Sequence, residues 1–307
     1  MKHFTYQEAS LKCQKPIQRW IGKAVVVFIM ITMAWGCAQT PKKALMKDIA
    51  ASFGKGEIID TKTRTAITFE ELTHEMAGVR VIYIGEQHTR ASHHDIQLKL
   101  IKALFKKNPG LLVGMEMFDH SYQAVLEEWS NGGLDQNTFL EKVHWYANWR
   151  YNFGLYKDIL ALIKTNRIGL VGLNIPPHIP PKIRVGGINY LSQAEKKYLP
   201  AGIDTSNAAH KAYLKEVFSH HHFKARVEFE YFYLAQCVWE DTMAESIARH
   251  LSDKQMVVLA GNGHIINKFG IPDRAYRRTN VPFRTLYLVP VGGKAEFSYA
   301  DYIWITP

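Results

Sequence analysis

Along the 307-residue chain, short uninterrupted apolar runs alternate with stretches of helical period. Val79, Val81 and Ile84 around Tyr83 form one such run, the pattern of a strand buried on both faces. The loop Gly85-Glu86-Gln87-His88 follows it. Ile96, Leu100, Ile101 and Leu104 then recur at helical spacing, with Ser92 as the expected N-cap and Asp95 three residues on. After the turn Asn108-Pro109-Gly110 comes a second run, 111–115, ending in Glu116 and Asp119. A third, 168–173, ends in Asn174. A fourth, 256–260, runs into Gly261-Asn262-Gly263-His264. Residues 57–60 and 66–69 read as a hairpin, 70–76 as a helix, and 285–289 and 297–305 as closing strands.

Between these runs the period is helical. Helices are expected at about 92–107, 121–130, 136–143 and 155–165, and over most of 190–252, with breaks at 199–204 and near His220-His221-His222. In the last of these, from about 224, Phe229, Phe232, Tyr233, Trp239, Met243, Ile247 and Leu251 share roughly one face. Residues 175–181 contain four prolines around His178 and read as an extended loop. Strand–helix alternation of this kind predicts an α/β fold, a mostly parallel sheet flanked by helices, with a helical lid insertion at about 185–225.

Four apolar strands that each end in polar residues define a site. Parallel strands deliver their carboxyl ends to one edge, so Glu86/His88, Glu116/Asp119, Asn174/His178 and Asn262/His264 are expected to meet in one crevice. A single histidine at a strand end usually bonds to backbone; four clusters at one edge point to a shared site. His88, His264 and a carboxylate, Glu86 or Glu116, are the residue types of a three-ligand divalent-metal site and equally of a general base with its orienting acid. No HExxH or GxSxG motif is present. His93 and His94 fall in the first turn of the next helix, where an anion is favoured. The aromatic stretch 144–156 reads either as core packing or as the lining of a flat pocket, with Tyr146, Tyr151 and Tyr156 as phenolate candidates. The run containing His222 is either solvated or metal-binding.

The formal charge of +10 raises a nucleic-acid reading. Lys2, Lys12, Lys15, Arg19, Lys23 and Glu8 lie in the first 36 residues; without them 33 basic and 27 acidic residues remain, a charge of +6. No basic stripe with interleaved aromatics stands out, so no nucleic-acid partner is expected. Behind that basic segment, residues 24–36 form a 13-residue uncharged run, short for a bilayer span of about 20 residues and right for a signal-peptide core. Ala34-Trp35-Gly36-Cys37 is similar to a bacterial lipobox, with Ala34 where leucine is usual; plain secretion or an uncleaved anchor is the other reading. The expected organisation is a signal peptide at 1–36, a tether at 37–56 lipidated on Cys37, and an α/β domain at 57–307. Cys13 would leave with the signal and Cys237 would stand alone, so no disulfide is expected.

Several motifs resemble one family. GEQH at 85–88 with His93, His94 and Gln97, GMEMFD at 114–119, NFGLY ending in Tyr156, and LVGLNIPP at 170–177 are similar to the ChaN family of haem-binding, iron-regulated lipoproteins. So are AQCVWEDTMA at 235–244, AGNGHI at 260–265 and GIP at 270–272, and the likeness runs over about 57–305. The resemblance implies a lipoprotein of the outer membrane that binds haem and serves iron uptake or storage, with an outer-membrane haem receptor as a partner. It also implies haem at a homodimer interface, with tyrosine ligation and histidine support. Tyr156 lies in a matching segment; Tyr151, Tyr146 and His222 are the other ligand candidates. The wider group includes Tiki-type proteases and erythromycin esterases, which share two GxxH motifs and a glutamate used for hydrolysis. Gly85–His88, Gly261–His264 and Glu86 or Glu116 match these, so a metal-dependent hydrolase is the alternative.

Overall fold

In the computed structural model, which describes residues 43–48, 51–220 and 227–307, six neighbouring parallel strands make up most of an eight-stranded sheet. The strands are β1 (Lys43–Met46), β2 (Ala51–Gly54), β3 (Ile58–Asp60), β4 (Thr65–Ile67), β5 (Val81–Glu86), β6 (Leu112–Asp119), β7 (Gly169–Asn174), β8 (Met256–Gly261), β9 (Phe283–Pro290), β10 (Lys294–Ala295) and β11 (Tyr302–Thr306). The large sheet runs β4-β3-β11-β9-β5-β8-β6-β7, with the β3–β4 hairpin antiparallel at one end. The mostly parallel α/β class expected from the sequence is the one found. Residues 43–54, expected in the tether, form β1 and β2 of a small second sheet, β10-β1-β2. Ala44 and Met46 of β1 alternate inward onto Ile59, Val289 and Ile303, so this segment is held by burial.

The helices are α1 (Phe69–Ala77), α2 (Ala91–Lys107), α3 (Gln123–Ser130), α4 (Gln136–Lys142), α5 (Trp145–Asn148), α6 (Lys157–Asn166), α7 (Ile179–Gly186), α8 (Gln193–Lys196), α9 (Ala208–His220), α10 (Phe229–Leu251) and α11 (Ile271–Thr279). Alternation along β5 sorts them. Ile82 and Ile84 face one core with Leu100 and Leu104 of α2 and Ile159 and Ile163 of α6; Val81 and Tyr83 face the other with Met243 and Ile247 of α10. Each such side chain, fully buried, contributes about 1.5–3 kcal/mol.

Helix boundaries follow local chemistry, with differences from the sequence reading. Thr68 caps α1 in a capping box with Glu71. α2 starts one residue before the expected cap: Arg90 takes the N-cap position, and Ser92 lies inside the first turn. The loop is tied instead by the Gln87 N–H, which donates to His93 Nδ1 at 2.9 Å. α2 ends at Asn108, whose extended backbone is the one a residue before proline prefers. The 175–181 segment is not extended throughout: α7 begins at Ile179 with Pro180 and Pro181 in its first turn, where a missing N–H costs nothing. Phe297–Tyr299, expected as strand, is a 3-10 turn before β11. Of the expected insertion, α9 is the longest helix, and much of 197–207 has no regular structure.

Candidate functional site

β5 and β8 are neighbours whose crossovers leave in opposite directions: β5 connects through α2 to β6, and β8 through α11 to β9, on opposite faces. A crevice opens at the carboxyl ends of such a pair. The backbones meet closely there. A Cβ on Gly85 would stand 2.1 Å from Asn262 Oδ1, and one on Gly261 would stand 3.0 Å from the His88 ring. Both positions need the missing side chain.

Glu86, buried at the end of β5, anchors one side. Its Oε1 accepts from His88 Nδ1 at 2.8 Å and from the Tyr156 hydroxyl at 2.7 Å. Its Oε2 accepts from Gln97 Nε2 at 2.8 Å and lies 3.5 Å from His94 Nδ1. His94 Nε2 donates to the His88 carbonyl at 3.1 Å, so the first turn of α2 braces the loop backbone. The His88 ring sits edge-on to Trp149 at 4.8 Å and beside Tyr151 at 5.0 Å. Burial alone would lower its pKa, but the Glu86 hydrogen bond and the charges of Glu116 and Glu86 raise it, with His264 opposing.

Glu116 anchors the other side. β6 does not stop before it but runs on to Asp119, with an irregular register against β7 between Met115 and Asp119. Its Oε2 accepts the Gly261 N–H at 2.6 Å, and its Oε1 lies 3.4 Å from His264 Nε2. Glu240 of α10 faces the other His264 nitrogen at 3.3 Å. Burial would lower the His264 pKa, yet the Glu116 and Glu240 carboxylates raise it to about 10. Burial would raise Glu116, but His264, then His88 and the Gly261 N–H, hold it at about 2. The pair is therefore carboxylate and imidazolium at neutral pH. Beyond it, Glu240 is 3.4 Å from Arg274 Nε and 3.5 Å from His210 Nε2, and Asp241 pairs with Arg274 and Arg278.

The crevice holds a cavity of about 220 Å³ walled by His88, Glu116, Trp149, Tyr151, Asn174 and Trp239, with α7 closing it through Pro180, Pro181 and Arg184. The four residues expected at its centre, Glu86, His88, Glu116 and His264, do come together. The others divide. Asn174 is in the wall and donates to the Glu116 carbonyl at 2.8 Å. Asn262 spans Gly85 and donates to the Leu288 carbonyl at 2.9 Å. Asp119 caps the turn at Ser121, and His178 turns outward to Glu195 at 3.4 Å. His93 is buried between the Gln87 N–H and the Thr306 hydroxyl at 3.1 Å, where burial pushes its pKa down to about 3, so it faces no ligand.

The tyrosines differ sharply in access. Tyr156 is fully buried with its hydroxyl on Glu86, and burial with that charge drives its pKa up, so it is not presented to a ligand. Tyr151 lines the cavity. Tyr146 is 62% exposed, on a separate open concavity of about 440 Å³ that it shares with His144, Leu140 and Glu141. His222 and Cys37 lie outside the described residues. The expected divalent-metal centre is not supported: no group of three His, Cys, Asp or Glu side chains among the described residues is placed to hold an ion. The crevice carboxylates face histidines, backbone N–H groups and neighbouring side chains instead. Sequence reasoning missed Glu240, Trp239, Arg184 and His144. For Glu240 there was a signal: the acids Glu240-Asp241 interrupt an apolar helix, and Arg274 and Arg278 recur one turn apart.

Comparison with known proteins returns a family match over residues 72–275, described as "haem-binding uptake, Tiki superfamily, ChaN". Among solved structures, a ChaN of Campylobacter jejuni, described as showing cofacial haem binding, superposes with a TM-score of 0.66. It is 21% identical, over 81% of this chain and 95% of that one. An erythromycin esterase mutant in its open conformation aligns with a TM-score of 0.47 and 15% identity, over 77% of this chain and 76% of its own. The type III effector HopBA1 aligns with a TM-score of 0.45 and 14% identity, over 76% and 91%. The comparison with curated proteins finds no match.

Proposed function

The chain belongs to the haem-binding uptake family of the Tiki superfamily, ChaN, and from that membership we propose that it binds haem at the bacterial cell envelope, in haem or iron acquisition or storage. The family match carries the reading, because residues 72–275 include the crevice and the aromatic segment beside it. The residues on that segment fit the group. A phenolate oxygen and an imidazole nitrogen are both iron ligands in haem proteins, and exposed Tyr146 and His144 share the open concavity. His144 adopts a left-handed backbone (φ 49°), which costs a non-glycine residue about 1 kcal/mol or more, and such strain gathers at ligand sites.

The crevice cavity is smaller than the roughly 300–1,000 Å³ that encloses a drug-sized ligand, so a macrocycle belongs on the open face. A haem there leaves one side uncovered, and a second copy of the chain would cover it. Cys37 behind its 13-residue apolar run supports a lipid anchor, in the outer membrane, within reach of a haem receptor.

Titrating haemin into the purified protein and recording absorbance tests the reading. A saturable Soret shift is expected, weakened about tenfold or more by Tyr146→Phe or His144→Ala. The absence of any saturable shift would end it. Mass spectrometry of the envelope-extracted protein, with Cys37→Ala alongside, tests the anchor.

A further inference from the structure

The wall of the crevice cavity has an excess of hydrogen-bond donors. Arg184 lies over the Phe232 ring at 5.7 Å, and among the described residues no carboxylate pairs with it. Its Nε is buried without a partner, and burial alone lowers its pKa. Trp239 Nε1 is likewise buried with no hydrogen-bond partner among the described residues. His88 uses Nδ1 on Glu86, which leaves Nε2 without a hydrogen bond among the described residues.

Most acceptors there are taken. Glu116 receives the Gly261 N–H and is offset by His264, and Asn174 Oδ1 receives the Ile175 N–H. A ligand for this wall must bring acceptor oxygens. The rest of the lining is Ile175, three prolines, Trp149 and Tyr151, which suits an apolar body, with Asn148, whose amide N–H groups go to the Tyr122 hydroxyl and the Val143 carbonyl. A phosphate is a poor match, because Pro180 and Pro181 remove backbone N–H groups that would cradle one at the start of α7.

We propose that this cavity binds the carboxylate of a small apolar acid, its oxygens received by Arg184, Trp239 Nε1 and His88 Nε2, its body by the proline and aromatic wall. The carboxylate has two sources, a free acid or the propionate arm of a haem seated beside the crevice. The site does not rest on the haem reading.

The test titrates the full chain with butyrate and benzoate, following tryptophan fluorescence and ligand-observed NMR, with butanol and benzamide as uncharged counterparts. Saturable binding of the acids alone is expected, at least tenfold weaker in Arg184→Gln, partly restored in Arg184→Lys and a few-fold weaker in Trp239→Phe. Circular dichroism checks each fold, and Arg184→Lys with Trp239→Phe carries the comparison if Arg184→Gln unfolds. A second arm compares haemin with its dimethyl ester by absorbance. A preference for the free acid that Arg184→Gln abolishes assigns the propionate; acid binding without that preference assigns a separate ligand. Equal acid binding by wild type and the Arg184 variants, or no acid binding and no discrimination between haemin and ester, overturns the proposal. Loss of haem binding with acid binding intact refutes the haem reading alone.

Discussion

The Glu116–His264 pair makes stability depend on pH with a predictable sign. His264 has a folded pKa raised to about 10 by two buried carboxylates, against about 6.5 when unfolded. Its contribution is therefore fully present below pH 6.5 and is lost as pH rises from there toward 10. The slope for one proton is about 1.4 kcal/mol per pH unit, so raising the pH from 6.5 to 8.5 costs about 2–3 kcal/mol. Glu116→Gln keeps an oxygen for the Gly261 N–H at 2.6 Å but leaves only Glu240 to raise His264. The variant should lose about 3 kcal/mol at pH 6.5, the low end for breaking a buried pair because one partner remains, and its alkaline limb should level off at a lower pH. Urea unfolding followed by circular dichroism from pH 5.5 to 9.5 measures both. A wild type whose stability is flat between pH 6.5 and 8.5, or a variant that follows the same slope through pH 9, refutes the reasoning.

The acid side has its own group. His93 is held neutral by burial, with a folded pKa near 3, so stability present above pH 6.5 falls as the pH drops toward 3; His93→Gln should flatten the limb between pH 6 and 4 by about one proton's slope in the same urea series. Gly85→Ala places a methyl 2.1 Å from Asn262 Oδ1 and 2.7 Å from Ile265 Cδ1. Overpacking with loss of the Asn262–Leu288 bond should cost about 2–5 kcal/mol by the denaturation midpoint, and a change under about 1 kcal/mol would show that the strand ends yield. Tyr156→Phe removes a 2.7 Å donor from buried Glu86 and should cost about 1–3 kcal/mol in thermal unfolding. Met243→Ala, fully buried under β8 and β5, should cost about 2–5 kcal/mol by the same assay through the cavity left behind.

The sheet and the crevice were legible because they rest on short-range pattern. β5, β7 and β8 are uninterrupted apolar runs, and parallel topology obliges their polar ends to converge. That logic brings Glu86, His88, Glu116 and His264 together from the sequence. It failed where a single residue had two physical outcomes. Ser92 looked like a cap, yet His93 tied the loop and the helix began earlier. Four prolines looked extended, yet two of them suit a helix start. Residues 43–54 looked like tether because lysines flank Ala44 and Met46, and only pairing with the distant β10 buries them. Arg184 could not be assigned to the crevice because α7 approaches it from a sequence position that no local period connects, and for Glu240 the signal was an acidic pair inside an apolar helix, which does not say what the acids face. Tyr156 matched a motif, but a tyrosine in a motif does not reveal whether its hydroxyl faces solvent or a buried carboxylate.

The charges between α10 and α11 also limit how the molecule can move. Asp241 pairs with Arg274 and Arg278, and Glu240 stands between His264 and Arg274, all of them buried except Arg278. Shifting α11 along α10 by one turn would strand at least one interior ion, which costs several kcal/mol. Sliding is thereby blocked, and the irregular 197–207 connection is tied to the same charges: the Asp204 N–H donates to Asp241 at 2.8 Å, and Arg274 and Arg278 donate to the Asp204 and Gly202 carbonyls at 2.8 and 3.0 Å. α10, α11 and that connection therefore hold one register, and the same register keeps Glu240 against His264.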